Sequence, residues 1–328
     1  MNRRHCILAV QILISLAIFA LIFHHINFAE TVDKISAAMP AYMIIAFVLL
    51  LIQIIVAALR WIQLLKIVGV SAPLGQLIQS FTVGSFVNSA VPGGIGGDAM
   101  RVWKTVRSGA TLKLALHIIL LDRVISLLGL GLLVIMIGLF RLWILNESLQ
   151  PIYIIGLIVS AVPIVGMIVL LLVNPLITRF AFKLPRILTM LKLPRLLTIV
   201  HDLSLTTNAI VRHPVQVLTL AVLVMSGHFL MIIALLFLAE GMHVVLTPLD
   251  AFSSMPTALL LSSIPITPGG WGMREGAMVL VLKPFGIIPE VALSISILFG
   301  VFSIFAHLPT MLFYLYKNFY LYKNKRLA

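Results

Sequence analysis

The chain holds one cysteine, Cys6, and only ten acidic residues among 328. A lone thiol excludes an internal disulfide framework and any metal site built on several cysteines. No two histidines stand four apart, the spacing of a helical metal site. His117, His228 and His307 are therefore expected to pack or hydrogen-bond. No Lys-Ser or Lys-Thr closes the glycine-rich stretches, which excludes a nucleotide P-loop. Gly94-x-Gly96-x-x-Ala99 likewise lacks the strand–helix unit of a dinucleotide loop. Neither a nucleophile nor a metal cluster converges, so no enzyme and no cofactor is expected.

What the chain has in quantity is hydrocarbon. Hydrophobic residues make up 61% and charged residues 10%, with a mean hydropathy of +1.17. These values exclude a soluble globular domain and predict an all-α polytopic membrane protein. At about 20 apolar residues per pass there is room for roughly six to eight passes. The net charge of +13 would suggest nucleic acid in a soluble protein. In a membrane protein the position of the cations matters more than their sum, and no nucleic-acid partner is expected.

Six full spans are expected: Cys6 to Phe23, Ala41 to Leu65, Leu114 to Leu139, Ile152 to Val173, Val215 to Leu238 and Val291 to Leu315. Arg3 and Arg4 precede the first run, and bulky residues follow it, so it reads as a retained signal-anchor. Leu74 to Val91 is long enough to span but carries seven polar residues in eighteen: Gln76, Gln79, Ser80, Thr82, Ser85, Asn88 and Ser89. Charge parity decides its course. Four basic residues and no acid lie between Arg101 and Lys113, and six lie between Pro175 and His213 with only Asp202 opposing. If Leu74 to Val91 dips in and returns, both clusters share the Arg3/Arg4 face, as the positive-inside rule requires. Both termini then lie in the cytoplasm. The basic segment 175–213, broken by Pro185 and Pro194, reads as helices on the cytoplasmic leaflet; an ordinary basic loop is the alternative.

One nine-residue pattern is spelled twice. Pro92-Gly93-Gly94-Ile95-Gly96-Gly97-Asp98-Ala99-Met100, with Arg101 next, matches Pro268-Gly269-Gly270-Trp271-Gly272-Met273-Arg274-Glu275-Gly276. Pro73-Leu74 and Pro248-Leu249 precede the two copies at nearly the same distance. Three full spans separate them. An odd number makes the second hairpin enter from the opposite face, giving an inverted repeat of the kind used by secondary transporters. The chain then forms one domain over 1–328. Its repeats cover about 41–139 and 215–316, joined by the helix 152–173 and the basic segment 175–213.

Glycines let backbone amides approach a ligand, and a broken helix end attracts anions; the same glycines also suit a tight turn. The flanking charges are Asp98, Arg101, Arg274 and Glu275, with Asp122-Arg123 inside the third span. Ionisable residues at membrane depth point to function, partners first. Adjacent helical residues diverge by about 100°, so Asp122 and Arg123 are expected to pair elsewhere, Arg123 with Glu275 or Asp98. A purely structural ion-pair network is the competing explanation.

Arg60-Trp61, Val91 to Arg101, Leu120-Leu121-Asp122-Arg123 and Ile264 to Gly276 together resemble the flippase-like transmembrane region of the lysylphosphatidylglycerol synthase family over almost the whole chain. The resemblance implies an inner-membrane domain handling lipids or lipid-linked sugars. By residue match it implies functional positions at Arg60, Pro92, Gly93, Gly96, Asp98, Arg101, Arg123, Pro268, Gly269, Gly270, Gly272 and Glu275. Asp98 and Asp122 stand where many relatives have glutamate. The sequence ends at Ala328, just after the last helix, so lysyl transfer by a following soluble domain is not expected.

Together these readings predict a translocase of the cell's inner (cytoplasmic) membrane. It would bind an anionic headgroup between two re-entrant hairpins, with Gly94, Asp122 and Arg274 joining the positions above. The alternative is an accessory membrane protein that partners a lipid-modifying enzyme or a glycosyltransferase and moves nothing.

Overall fold

A computed structural model describes residues 28–90, 96–148, 150–179, 194–264, 267 and 270–314, with isolated positions 13, 16, 20 and 316. Apart from those isolated positions, the first expected span and the basic tail lie outside the described residues. Among the described residues regular structure is helical throughout. The helices are α1 (Phe28–Ser36), α2 (Pro40–Ile67), α3 (Leu74–Ala90), α4 (Gly96–Arg107), α5 (Leu112–Trp143) and α6 (Pro151–Arg179). They continue with α7 (Pro194–Val211), α8 (Pro214–Gly241), α9 (Pro248–Ser262), α10 (Met273–Leu282) and α11 (Pro289–Phe305).

Local chemistry explains the starts. Prolines at 40, 151, 194, 214, 248 and 289 open α2, α6, α7, α8, α9 and α11. There the missing amide hydrogen costs nothing and the fixed φ suits the first turn. Thr111 and Thr247 cap α5 and α9, each hydroxyl accepting a backbone amide three residues on at 3.2 Å.

Five helices are long and apolar enough to cross a membrane: α2, α5, α6 over Pro151–Leu172, α8, and α11 with its continuation to Tyr314. They coincide with five of the six expected spans. α6 leaves Ile158, Val162 and Val165 more than half exposed, as a lipid-facing helix does.

α2 and α8 form the most extensive helix pair, and they run antiparallel. Met39 donates its amide hydrogen to the Gly241 carbonyl at 2.8 Å, the Tyr42 and Phe237 rings lie 6.1 Å apart, and Gly227 lies against Val56. One end of the bundle, where α2 stops and α5 starts, carries Lys66, Lys104 and Lys113; it is called the basic end below. The other, where α8 stops and α6 starts, carries Glu147, Glu240 and Asp250 and is the acidic end. Each end has its own apolar core. Trp61, Leu65, Ile118 and Leu121 anchor the basic one; Leu50, Leu235, Met255 and Val281 anchor the acidic one.

The order long, short, short, long occurs twice, as α2–α5 and as α8–α11. α3 and α4 pack as an antiparallel pair tied by Lys104 Nζ donating to Gln76 Oε1 at 2.6 Å. α9 and α10 form the equivalent pair, with Ser254 against the Val281 carbonyl. Because α2 and α8 are antiparallel, α3 starts at the basic end and α9 at the acidic end. Of the polar residues of α3, Gln76 and Asn88 serve this packing. Ser80 and Thr82 bond back to their own helix, and Asn88 reaches α4.

The basic segment resolves in part. α6 continues to Arg179, and α7 buries Leu203, Thr207 and Ile210, packing along α6. Asp202 of α7 accepts from Lys113 Nζ at 2.5 Å. That hydrogen bond holds its carboxyl below the usual carboxylate range.

Candidate functional site

The α3–α4 pair is closed backbone to backbone. Gly97 donates its amide hydrogen to Asn88 Oδ1 at 2.9 Å, and a β-carbon on Gly84 would stand 2.6 Å from the Gly97 carbonyl oxygen. Only glycine permits such an approach. It brings Asp98 and Arg101, on the first turns of α4, against α5.

There Asp122 is the hub. It stands ten residues into α5, about 15 Å along the axis, and its side chain is 2% exposed. Arg60 Nε of α2 donates to Oδ1 at 2.7 Å, and Arg101 Nη2 donates to Oδ2 at 2.6 Å. Arg101 also lies 3.6 Å from Asp98 Oδ1, and Asp98 Oδ2 accepts from Arg123 Nε at 2.8 Å and from its Nη2. The result is a chain Arg60–Asp122–Arg101–Asp98–Arg123. The neighbours Asp122 and Arg123 do pair away from each other, and of the two partners foreseen for Arg123 the structure has Asp98.

Arg101 is sandwiched between aromatic faces, 5.0 Å from the Trp61 centroid and 4.9 Å from that of Phe81. Desolvated contacts of this kind contribute up to about 2 kcal/mol. Among the described residues three buried atoms here lack a hydrogen-bond partner: the donors Arg101 Nε and Trp61 Nε1, and the acceptor Asp98 Oδ1, which stands 3.6 Å from Arg101 Nη1. Leaving such donors unmade costs about 1–3 kcal/mol each. The network also holds three guanidinia against two carboxylates. Both features call for an additional acceptor or anion.

The second motif is built differently. Gly270 and Gly272 both have positive φ, +76° and +86°, a conformation that other residues rarely adopt. The turn lets the Gly272 amide donate to Glu275 Oε2 at 2.6 Å, so the carboxylate caps α10. Glu275 is fully buried. Its Oε1 accepts from Arg274 Nη2 at 2.6 Å, and Ser296 of α11 lies at 3.5 Å. Arg274 stacks 4.7 Å from the Trp271 ring and lies over Gly300 of α11, where a β-carbon would displace its guanidinium.

Two groups thus gather the predicted residues. Arg60, Asp98, Arg101, Asp122 and Arg123 form the first, with Gly96 opening α4 beside them. Gly270, Gly272, Arg274 and Glu275 form the second. Among the described residues the charges of each pair only within their own group. Pro92, Gly93, Gly94, Pro268 and Gly269 lie outside the described residues.

A third network escaped sequence reasoning. Arg141, near the end of α5, donates from Nε to Ser253 Oγ at 2.9 Å, from Nη1 to Glu147 at 2.6 Å and from Nη2 to Asp250. Phe285 lies 5.2 Å from its guanidinium. Arg141 and Asp250 read locally as loop charges; the cue to their pairing was an arginine closing an apolar run. Trp61, Phe81, Gly84 and Gly97 were likewise not singled out as a unit. The histidines take hydrogen-bonding places, His117 near Thr206 and His228 on the Ser126 carbonyl.

No curated protein matches the chain. The family described as Lysylphosphatidylglycerol synthase TM region matches residues 8–309. That span takes in all eleven described helices and both ionic groups around the glycine motifs. With five helices fit to cross a bilayer and a family match of this extent, the chain is a multi-pass membrane protein belonging to the lysylphosphatidylglycerol synthase transmembrane-region family.

Proposed function

We propose that the protein moves a lipid or lipid-linked sugar with an anionic headgroup across the cell's inner membrane. The headgroup engages the Arg60–Asp122–Arg101–Asp98–Arg123 chain. The observation that carries this is the imbalance of that chain, three guanidinia to two carboxylates, beside Arg101 Nε and Trp61 Nε1, which have no acceptor among the described residues. A phosphate would supply the missing charge and acceptors together. Arg123 offers the way in, its side chain 52% exposed.

On this reading α3–α4 and α9–α10 are re-entrant hairpins entering from opposite leaflets, and the chain is an inverted repeat with both termini cytoplasmic. The basic end then faces the cytoplasm, as the positive-inside rule favours. Arg274 and Glu275 serve the second hairpin. Asp98 and Asp122 keep the arginines oriented while the headgroup exchanges.

The test uses purified protein in vesicles of phosphatidylcholine with a phosphatidylglycerol analogue in one leaflet. The parent should equilibrate the analogue between leaflets, and Arg123→Gln should lose anionic-lipid binding and exchange while remaining folded. Arg123→Lys should recover only part, because lysine keeps the charge without the planar fork. Binding without exchange would instead support an accessory protein that partners a lipid-modifying enzyme or a glycosyltransferase. Undiminished binding by folded Arg123→Gln would make that arginine structural.

A further inference from the structure

A cavity of about 260 Å³ opens between α5, α6, α7 and α8, and no residue of the three ionic networks lines it. Its walls are hydrocarbon, among them Leu121, Ile125 and Leu132 of α5, Met167 of α6, Ile210 of α7 and Met225 of α8. Thr207 also lines it, but its hydroxyl is engaged by the Leu203 carbonyl at 2.8 Å. From Leu121 to Leu132 the cavity follows α5 for about 16 Å of helix axis. The floor is buried, with Leu121, Ile210 and Leu220 at 5% exposure or less, while Val211 and Leu132 on the rim are about half exposed. It is a slot running along the helices and open at its side.

An apolar cavity of about 150 Å³ already stays free of water and admits a hydrocarbon such as benzene. This one is larger, and it lies among helices fit to cross a bilayer. The hydrocarbon at hand there is a lipid tail. The mouth supplies a second indication. Val211 and Val217 both line the slot, and between them stand Arg212 and His213, exposed at the corner where α7 gives way to α8. Among the described residues no carboxylate pairs with Arg212. A free cation at the mouth of a hydrocarbon slot complements a negatively charged headgroup on an apolar chain.

Helix geometry separates this site from the one proposed for translocation. Leu121, Ile125, Leu128 and Leu132 form one stripe of α5. Arg123 stands two residues from both Leu121 and Ile125, about 200° round the axis from each. A headgroup on Arg123 therefore sits on the opposite face of α5 from the slot. We propose that the slot is a separate resident-lipid site, taking one acyl chain of an anionic phospholipid whose headgroup is held at Arg212.

The experiment places the full chain in phosphatidylglycerol nanodiscs doped with phosphatidylglycerol bearing a photoactivatable diazirine midway along one chain, and maps the adducts. Adducts at Leu128, Leu132, Met167 and Met225 should exceed those at Ile158 and Val162 of α6 several-fold. Ala221→Trp, which fills the slot from its rim, should remove the excess; if that variant does not accumulate, Val211→Trp is read in the same way. Arg212→Glu should abolish the preference over a phosphatidylcholine probe of the same tail. Uniform labelling of slot and lipid-facing positions overturns the site. So does an excess that survives a slot-filling variant with the parent's melting temperature. Equal labelling of the parent by both probes overturns its anionic character. None of these outcomes depends on whether the protein moves lipid.

Discussion

Two arginine–carboxylate networks stand toward opposite ends of α5, and they differ in stoichiometry. Asp122 and Arg141 are 19 positions apart on the helix, about 28 Å along the axis. At the acidic end one guanidinium meets two carboxylates and a serine hydroxyl, and all three of its nitrogens donate. At the basic end three guanidinia meet two carboxylates, and among the described residues a buried Arg101 nitrogen lacks an acceptor and a buried Asp98 oxygen lacks a donor. The first arrangement is short of cation and internally satisfied. It ties the start of α9 to the end of α5 as a latch. The second is short of anion and, among the described residues, incomplete. Similar residues thus make a fastener in one place and a candidate binding site in the other, and the balance of donors against acceptors decides which.

The largest effect is expected at the hub. Asp122→Asn leaves Arg60, its side chain 12% exposed, without its carboxylate and the buried Arg101 with only the more distant Asp98, and removing one partner of a buried pair costs about 3–5 kcal/mol. Unfolding of the purified protein in detergent should show this loss. Adding Arg101→Met should return much of it, because the second stranded charge goes too. Wild-type stability in Asp122→Asn would mean that the two guanidinia do not depend on this carboxylate.

A smaller loss is expected at the latch. Arg141→Met strands Asp250 and Glu147, which are 18% and 47% exposed and so stay partly hydrated; about 1–3 kcal/mol is expected. The folded fraction should bind phosphatidylglycerol vesicles as the parent does. A parallel fall in binding would erase the contrast between latch and site.

The smallest effect tests a partly exposed pair, Lys113 with Asp202, that belongs to neither network. Asp202 has its carboxyl held below the usual range by the hydrogen bond from Lys113. A depressed carboxylate stabilises the fold above its unfolded value, about pH 4, and loses that contribution as the pH falls through the depressed one. The parent's melting temperature should therefore drop slightly more on acidification below about pH 4 than that of Lys113→Gln. Parallel curves for the two proteins would remove Asp202 from the acid response.

Much of the architecture was legible because it rests on local chemistry. Long apolar runs gave five spans. The polar residues of Leu74 to Val91 argued against a lipid-facing helix, and two of them, Gln76 and Asn88, accept hydrogen bonds from α4. The site was legible only as a set of charges. Nothing near Asp122 says that its partners are Arg60 and Arg101, 62 and 21 positions away. Nor could Arg141 be matched to Asp250 across 109 positions.

By itself the sequence determined the solvent this protein folds in, its five long helices and the duplication of a glycine motif with charges attached. Hydropathy and repetition are properties of short stretches, so no distant contact was needed to see them. Only the tertiary structure decided which charges neutralise each other and which remain in excess. It also decided that Gly84 and Gly97 touch, that Trp61 and Phe81 enclose Arg101, and that an apolar slot lies on the face of α5 turned away from Arg123. Those outcomes depend on how helices far apart in the chain are laid side by side, and in this bundle the antiparallel pairing of α2 with α8 sets that arrangement.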